Sequence, residues 1–236
     1  MYFRLWLPAV ISSFGWALSD MADAVVVGQR LGGLGLAAIG LMLPVYMVNC
    51  LFAHSFGLGG SVKYARLLSE GKVKEAVASF NHVLQNALLL SLLIALAGNL
   101  FMPQLLALLG TVPADGALYA ATRDYLVVLV TATPLFFLAN ILNYYLRNDD
   151  NAGKAGAGSL AGNISDIALS VLFVLGLGLG TKGAAMATAA GQVVAIGIYL
   201  PGVLGKRHIL QVKFVRPGLK EGAECFKKGF ASSVTY

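Results

Sequence analysis

Six long apolar runs follow one another, separated by short polar stretches, and this succession restricts the fold more than any other feature of the chain. They extend from about Leu5 to Gly28, Leu36 to Val62, Val77 to Leu109, Ala120 to Leu146, Ala155 to Leu179 and Gly183 to Leu204. Each is long enough to cross a bilayer, which takes roughly 20 apolar residues at a helical rise of 1.5 Å. In hydrocarbon every backbone N–H and C=O needs a partner within the protein, which leaves helices or closed barrels. None of the runs alternates with period two, so helices are expected. The fold class is therefore an all-α membrane protein built as a six-transmembrane-helix bundle. Pro8, Pro44, Pro103, Pro134 and Pro201 lie within or at the ends of spans, where prolines kink membrane helices rather than end them.

Composition excludes the soluble alternatives. Hydrophobic residues make up 58% of the chain and charged residues 12%, against about 45–50% and about 25% in soluble domains. Mean hydropathy is +0.76. The net charge of +6 does not imply a nucleic-acid partner, because the basic residues fall between the apolar runs. Cys50 and Cys225 match no metal spacing and read as free thiols. Arg4 before an apolar run resembles a signal peptide only superficially, since no small-residue cleavage site follows. No constellation of a soluble enzyme is present. GLGLGTKG resembles a phosphate loop only in its glycine count and has no strand before it.

Of the 17 Lys and Arg residues, all but Arg30, Arg123 and Lys182 fall on one side of the expected spans. The positive side is cytoplasmic. The N-terminus is then inside, in a multi-pass plasma (inner) membrane protein, and Asp20 and Asp23 lie in the outer part of the first span. Three segments are expected: residues 1–205 as a six-helix lobe, 206–228 as a basic cytoplasmic linker, and 229–236 as the truncated start of a seventh helix. The last is too short to cross and should lie against the membrane surface or hang loosely.

Polar residues inside the spans carry the functional signal. Asp20 and Asp23 share one helical face with Ser12, Trp16 and Ser19. A carboxylate in hydrocarbon costs a few kcal/mol or more unless it faces a cavity or a partner. Ending the span at the membrane boundary is the other use for this pair. In the fifth run Asn163, Asp166 and Ser170 form a single polar stripe, with Asp166 near the middle. A protonated carboxyl bonding across helices is the structural alternative there. Thr188, Gln192 and Tyr199 form a weaker stripe in the sixth run, which suits interhelical packing equally. Asn140, Asn143, Tyr144 and Tyr145 near the end of the fourth run could contact a substrate, although tyrosines there also serve as interface belts. His54 reads as a hydrogen-bonded histidine near the end of the second span.

Several stretches together resemble the multidrug and toxic compound extrusion (MATE) family of secondary transporters. They are DAVVVGQRLGGLGLAAIGLMLP from Asp23, GLGGSVKYARLLSEGKVKEA from Gly57, YYLRNDDNAGKA from Tyr144 and GLGLGTKGAAMATAAGQ from Gly176. The resemblance implies one lobe of a twelve-helix antiporter that exports amphipathic, cationic drugs or toxic compounds, coupled to H+ or Na+, with no cofactor and no enzymatic activity. It places the family's first-helix carboxylate at Asp23 and its sixth-helix threonine at Thr188. The fifth-helix acid falls on Ser170 and its asparagine on Asp166, so the usual Asn–Asp order reads Asp–Ser here. Asp20 stands where an asparagine is common.

The ion-coupling set implied is thus Asp23, Asp166, Asp20, Ser170 and Thr188, with Na+ a candidate at Asp23, Asp166, Ser170 and Thr188. The substrate-binding set is Asn140, Asn143, Tyr144, Asn163 and Gln192. The partners implied are a small-molecule substrate, membrane lipid, and a C-terminal lobe or a second copy. Two alternatives stand beside this reading. One is a lipid-linked precursor flippase, whose cavity should carry several cations for phosphate. The other is an inactive half-transporter fragment.

Overall fold

The computed structural model describes residues 2–149, 151–204, 210 and 218–233; for residues 2–14, 16, 204, 219, 232 and 233 only the backbone course is described. All regular structure among the described residues is helical. The helices are α1 (Tyr2–Ser69), α2 (Val73–Leu100), α3 (Met102–Leu108), α4 (Ala117–Thr131), α5 (Thr133–Asn148), α6 (Ala152–Ser170), α7 (Gly180–Leu204) and α8 (Leu219–Ser233). A 3-10 turn, Pro113–Asp115, precedes α4, and a π turn, Val171–Gly176, extends α6.

At 68 residues α1 would be roughly 100 Å long if straight. It breaks at Gly32, whose φ of 60° and ψ of −145° suit only a residue without a Cβ. The chain folds back there, so that a methyl group on Gly28 would meet the Leu36 side chain at 3.5 Å. In a continuous helix those residues would lie about 12 Å apart along the axis. Residues 2–31 and 33–69 are therefore two spans. The fourth expected span is also broken: α4 and α5 meet at a bend of 50°. Pro134 has no N–H for the helical ladder, and its ring obstructs the preceding turn. Counting α4 and α5 as one span and α1 as two gives six: the two limbs of α1, α2, α4 with α5, α6 with its π turn, and α7. Several expected boundaries move. The third run ends at Leu100, and Met102–Leu108 forms a separate short helix with Pro103 in its first turn. The fifth and sixth helices begin three residues earlier than their apolar runs, at Ala152 and Gly180.

Two apolar cores occupy opposite halves of the bundle. One gathers Tyr64, Phe80, Val83, Tyr145, Leu146, Ala155 and Tyr199 near the end rich in lysine and arginine. The other gathers Val26, Val27, Leu106, Tyr125, Leu126, Val174 and Ala184 toward the opposite end. Between them, α6 and α7 touch through glycine. A Cβ on Gly162 would stand 2.9 Å from the Gly191 carbonyl oxygen, and one on Gly191 would stand 2.7 Å from that of Gly162. Small residues of this kind let membrane helices approach closely. Large apolar side chains face outward, among them Leu96 at 68% and Leu108 at 83% exposure. Such a surface suits lipid.

α8 runs through residues 228 and 229 without interruption and lies across the second limb of α1. Gly59 and Gly229 meet at the crossing, where a side chain on either would collide with backbone, of Cys225 and Ser55 respectively. Glu221 anchors the start of α8, taking Lys63 Nζ and His82 Nδ1 at 2.5 Å each. Burial pushes its carboxyl up, but the bonds from Lys63 and His82 outweigh that and hold it below the usual range. The linker residues 205–209 and 211–217, and the tail 234–236, lie outside the described residues.

Candidate functional site

The first limb of α1 and α6 run in the same direction, and each offers a serine and an aspartate four residues apart. The Ser19 hydroxyl donates to Asp166 Oδ2 at 2.7 Å, and the Ser170 hydroxyl donates to Asp23 Oδ1. The four-residue spacing puts both members of each pair on one helix face, so two cross-links form in step. Thr188 of α7 closes the third side. Its hydroxyl lies 3.3 Å from Asp23 Oδ2 and 3.1 Å from its own helix's Ala184 carbonyl, and it is also within reach of Asp166. Asp23 and Asp166 are only 8% and 7% exposed. Asp20 is exposed, near enough for its charge to act on both.

The charge balance here is unusual. None of the three aspartates takes part in an ion pair among the described residues. Asp166 Oδ1 and the nearby Asn163 Nδ2 are buried with no hydrogen-bond partner among the described residues. Two ionised carboxylates held together away from water carry a large desolvation cost. A proton or a small cation relieves it, and the oxygens of Asp23, Asp166, Ser170 and Thr188 are the ones available to a cation. Among the described residues no three His, Cys, Asp or Glu side chains are grouped to hold a metal ion, so such a site would rely on the hydroxyls.

The substrate-binding candidates lie elsewhere. Asn140, Asn143, Tyr144, Asn163 and Gln192 all line one cavity of about 310 Å³, toward the basic end of the bundle. Its wall carries no Asp or Glu among the described residues, and Arg147 is one of its lining residues. The aspartates and these residues are thus neighbouring features, not one acidic cavity: Gly162 and Asn163 border the cavity, and Asp166 follows one turn on along α6. Several of the polar groups are already engaged. Asn143 Nδ2 donates to Tyr199 Oη at 2.9 Å and to the Ala155 carbonyl at 3.1 Å. Asn140 Nδ2 donates to the Phe136 carbonyl at 2.9 Å. His54, hydrogen-bonded to Asn140, packs edge-on against Tyr144 with ring centroids 5.9 Å apart. Tyr145 is buried in the apolar core and does not reach the cavity.

Tyr125 is the neighbour that sequence reasoning missed. It is buried, within reach of Thr188, and close to all three aspartates. In the sequence Tyr125 follows Thr122, Arg123 and Asp124 at the start of the fourth run, and nothing in that spacing ties it to the aspartates of the first and fifth runs. Ser12 and Trp16, placed on the acidic face by the sequence, lie outside the described side chains.

Residues 8–155, more than half of the chain, match the family model described as MatE. The chain belongs to the MATE family. Multidrug export protein MepA of Staphylococcus saprophyticus subsp. saprophyticus is 31% identical over 228 residues, covering 95% of this MATE chain and 49% of the relative. Two solved conformations of a multidrug resistance MATE family transporter of the MOP superfamily share the fold. The outward-facing one superposes with a TM-score of 0.87 at 27% identity, over 98% of this chain and 51% of that one. The inward-facing one gives 0.84 at 26% identity, over 92% and 49%. This MATE chain spans about half the length of the relatives it matches. Its six spans form one lobe of such a transporter, embedded in the membrane.

Proposed function

We propose that the chain works as one lobe of an ion-coupled antiporter that exports amphipathic, cationic compounds. One observation carries the coupling role: Asp23 and Asp166 are buried side by side with hydroxyl donors and no cationic partner among the described residues. Burial and a like-charged neighbour both favour the protonated or cation-bound state. H+ or Na+ entering from the outer side would then compete with substrate and bias the lobe between its two access states. The basic end faces the cytoplasm in this reading, because lysines and arginines mark the inner side. The substrate enters the cavity around Asn140, Asn143, Tyr144, Asn163 and Gln192. The naming of MepA as a multidrug export protein supports the drug-export part of the reading.

A secondary transporter of this architecture forms its pathway between two halves. The second half is a C-terminal lobe or a second copy of this one. The test is ethidium efflux from cells that express the chain alone or together with a family C-terminal lobe. Efflux should appear only with the added lobe and should be lost in Asp23→Asn with membrane insertion intact. Efflux that is unaffected by Asp23→Asn overturns the coupling role. Strong efflux from the chain alone favours a homodimer over the two-lobe pairing.

A further inference from the structure

We propose that Asp20 holds the positive charge of the transported compound at one end of the amide-lined cavity, and so fixes which way round an aromatic cation sits there. This role rests on that cavity being the substrate site. A cationic substrate needs a counter-charge, yet Arg147 lines the cavity and no Asp or Glu does among the described residues.

The cavity has two distinct ends. On the second limb of α1, Tyr46, Cys50 and His54 step along its wall one turn at a time, and on α5 Phe136, Asn140 and Tyr144 do the same. Tyr46 meets Phe136 edge-on with ring centroids 6.3 Å apart, and His54 meets Tyr144 at 5.9 Å. These pairings run in one direction along both helices. Tyr46 and Phe136 therefore mark one end. Arg147, three turns of α5 beyond Phe136 and about 16 Å from it, marks the other. The charge of Arg147 acts on Tyr144 and Tyr199, at that second end.

Asp20 belongs to the first end. Its charge reaches Cys50 in the cavity wall as well as Asp23 and Tyr125, and that of Asp166 acts on it in turn. Unlike Asp23 and Asp166 it is exposed, and it makes no hydrogen bond or ion pair among the described residues. An ionisable side chain within a span faces a cavity or a water-filled opening, because hydrocarbon does not solvate it. The opening here is the one beside Cys50. Asp166 Oδ1, buried without a hydrogen-bond partner, adds negative potential on the same side. The Tyr46 hydroxyl is engaged with Cys50, so its ring is what it offers a ligand. An unpaired carboxylate beside the rings of Tyr46 and Phe136 suits a cation carried on an aromatic framework. Arg147 repels that charge, so the uncharged part of the compound lies at its end, against Tyr144. The asparagine that the family resemblance implies at position 20 would leave the first end without a counter-charge.

The test is equilibrium binding to the purified chain in neutral detergent at neutral pH. The probes are ethidium and phenanthridine, its uncharged parent ring system. Ethidium should bind on the order of tenfold more tightly. Asp20→Asn should bring the two affinities together by weakening ethidium alone. Asp20→Glu should keep the preference, which separates loss of charge from loss of fold. A preference that survives Asp20→Asn, or equal binding of both probes by the unmodified chain, would overturn the role of Asp20. Saturable binding of neither probe would overturn the cavity as the substrate site, the reading beneath it. No ion gradient is imposed, so a failure of the coupling role at Asp23 is read separately from these outcomes.

Discussion

The Ser19 hydroxyl donates to the Asp166 carboxylate at 2.7 Å and ties the first limb of α1 to α6. One turn further along both helices, Ser170 returns the same bond to Asp23. The two helices thus exchange a serine for an aspartate twice over. The acid at position 166 and the serine at 170 reverse the order that the family resemblance implies, yet both positions still face Asp23 and Thr188. Relative to the order that the resemblance implies, the carboxylate lies one turn earlier and still stands beside Asp23.

That exchange makes a swap informative. Asp166→Asn alone should abolish the dependence of transport on the driving ion, because a hydroxyl at 170 does not titrate near neutral pH. Ser170→Ala should only weaken cation binding. Asp166→Asn combined with Ser170→Asp should recover ion dependence, since the acid then sits against Asp23 in the other order. Ion-dependent efflux of the three variants, assembled with a second lobe, checks the ranking. A larger loss from Ser170→Ala than from Asp166→Asn would contradict it.

The α6–α7 contact should be intolerant of a methyl group. Gly191→Ala would push a Cβ to 2.7 Å from the Gly162 carbonyl oxygen and 3.1 Å from Asp166 Cβ. Overpacking of this kind costs about 1–3 kcal/mol. The expected result is a lower unfolding midpoint in detergent and weakened ion coupling together. Gly197→Ala on the same helix, where a Cβ would meet nothing within 4 Å, should leave both unchanged.

The chain's spans and their order were legible because a bilayer requires long apolar helices, and that requirement is written in composition. Four-residue spacing brings Ser19 with Asp23, and Asp166 with Ser170, to the α1–α6 contact, whereas Asp20, on the same expected stripe, is exposed. The bend between α4 and α5 was visible only as Pro134, and its size of 50° depends on packing. The separation of the amide-lined cavity from the aspartates was not legible. Asn163 and Asp166 are three residues apart in sequence, and only the packing of α5 and α7 decides which faces the cavity. α8 read as a basic linker because its apolar side becomes meaningful only where Phe226 stacks on Phe52, ring centroids 5.5 Å apart.

Acid should loosen α8. The Glu221 carboxyl is held below its usual range in the folded chain by Lys63 and His82, despite the opposing effect of burial. A lowered folded value means that the stabilisation is present above the ordinary carboxylate range and is lost as pH falls through the depressed value. Cys225, on the inner face of α8, is buried and reports on that helix's docking. Its labelling by a thiol reagent, after exposure to graded acid and return to neutral pH with the reagent present, should increase once the pH has fallen below the carboxylate range. Glu221→Gln should give faster labelling already at neutral pH. Labelling at the same slow rate in both proteins would show that Glu221 does not hold the helix.

The coupling role of the buried aspartates is tested most directly by substrate efflux from proteoliposomes under an imposed H+ or Na+ gradient, with the chain paired to a second lobe. In the unmodified protein the rate should rise with one of the two gradients. Asp23→Asn and Asp166→Asn, each verified as folded and inserted, should give rates that no longer respond to it. A gradient response that survives in both variants would contradict the assignment of the α1–α6 carboxylate pair as the ion site.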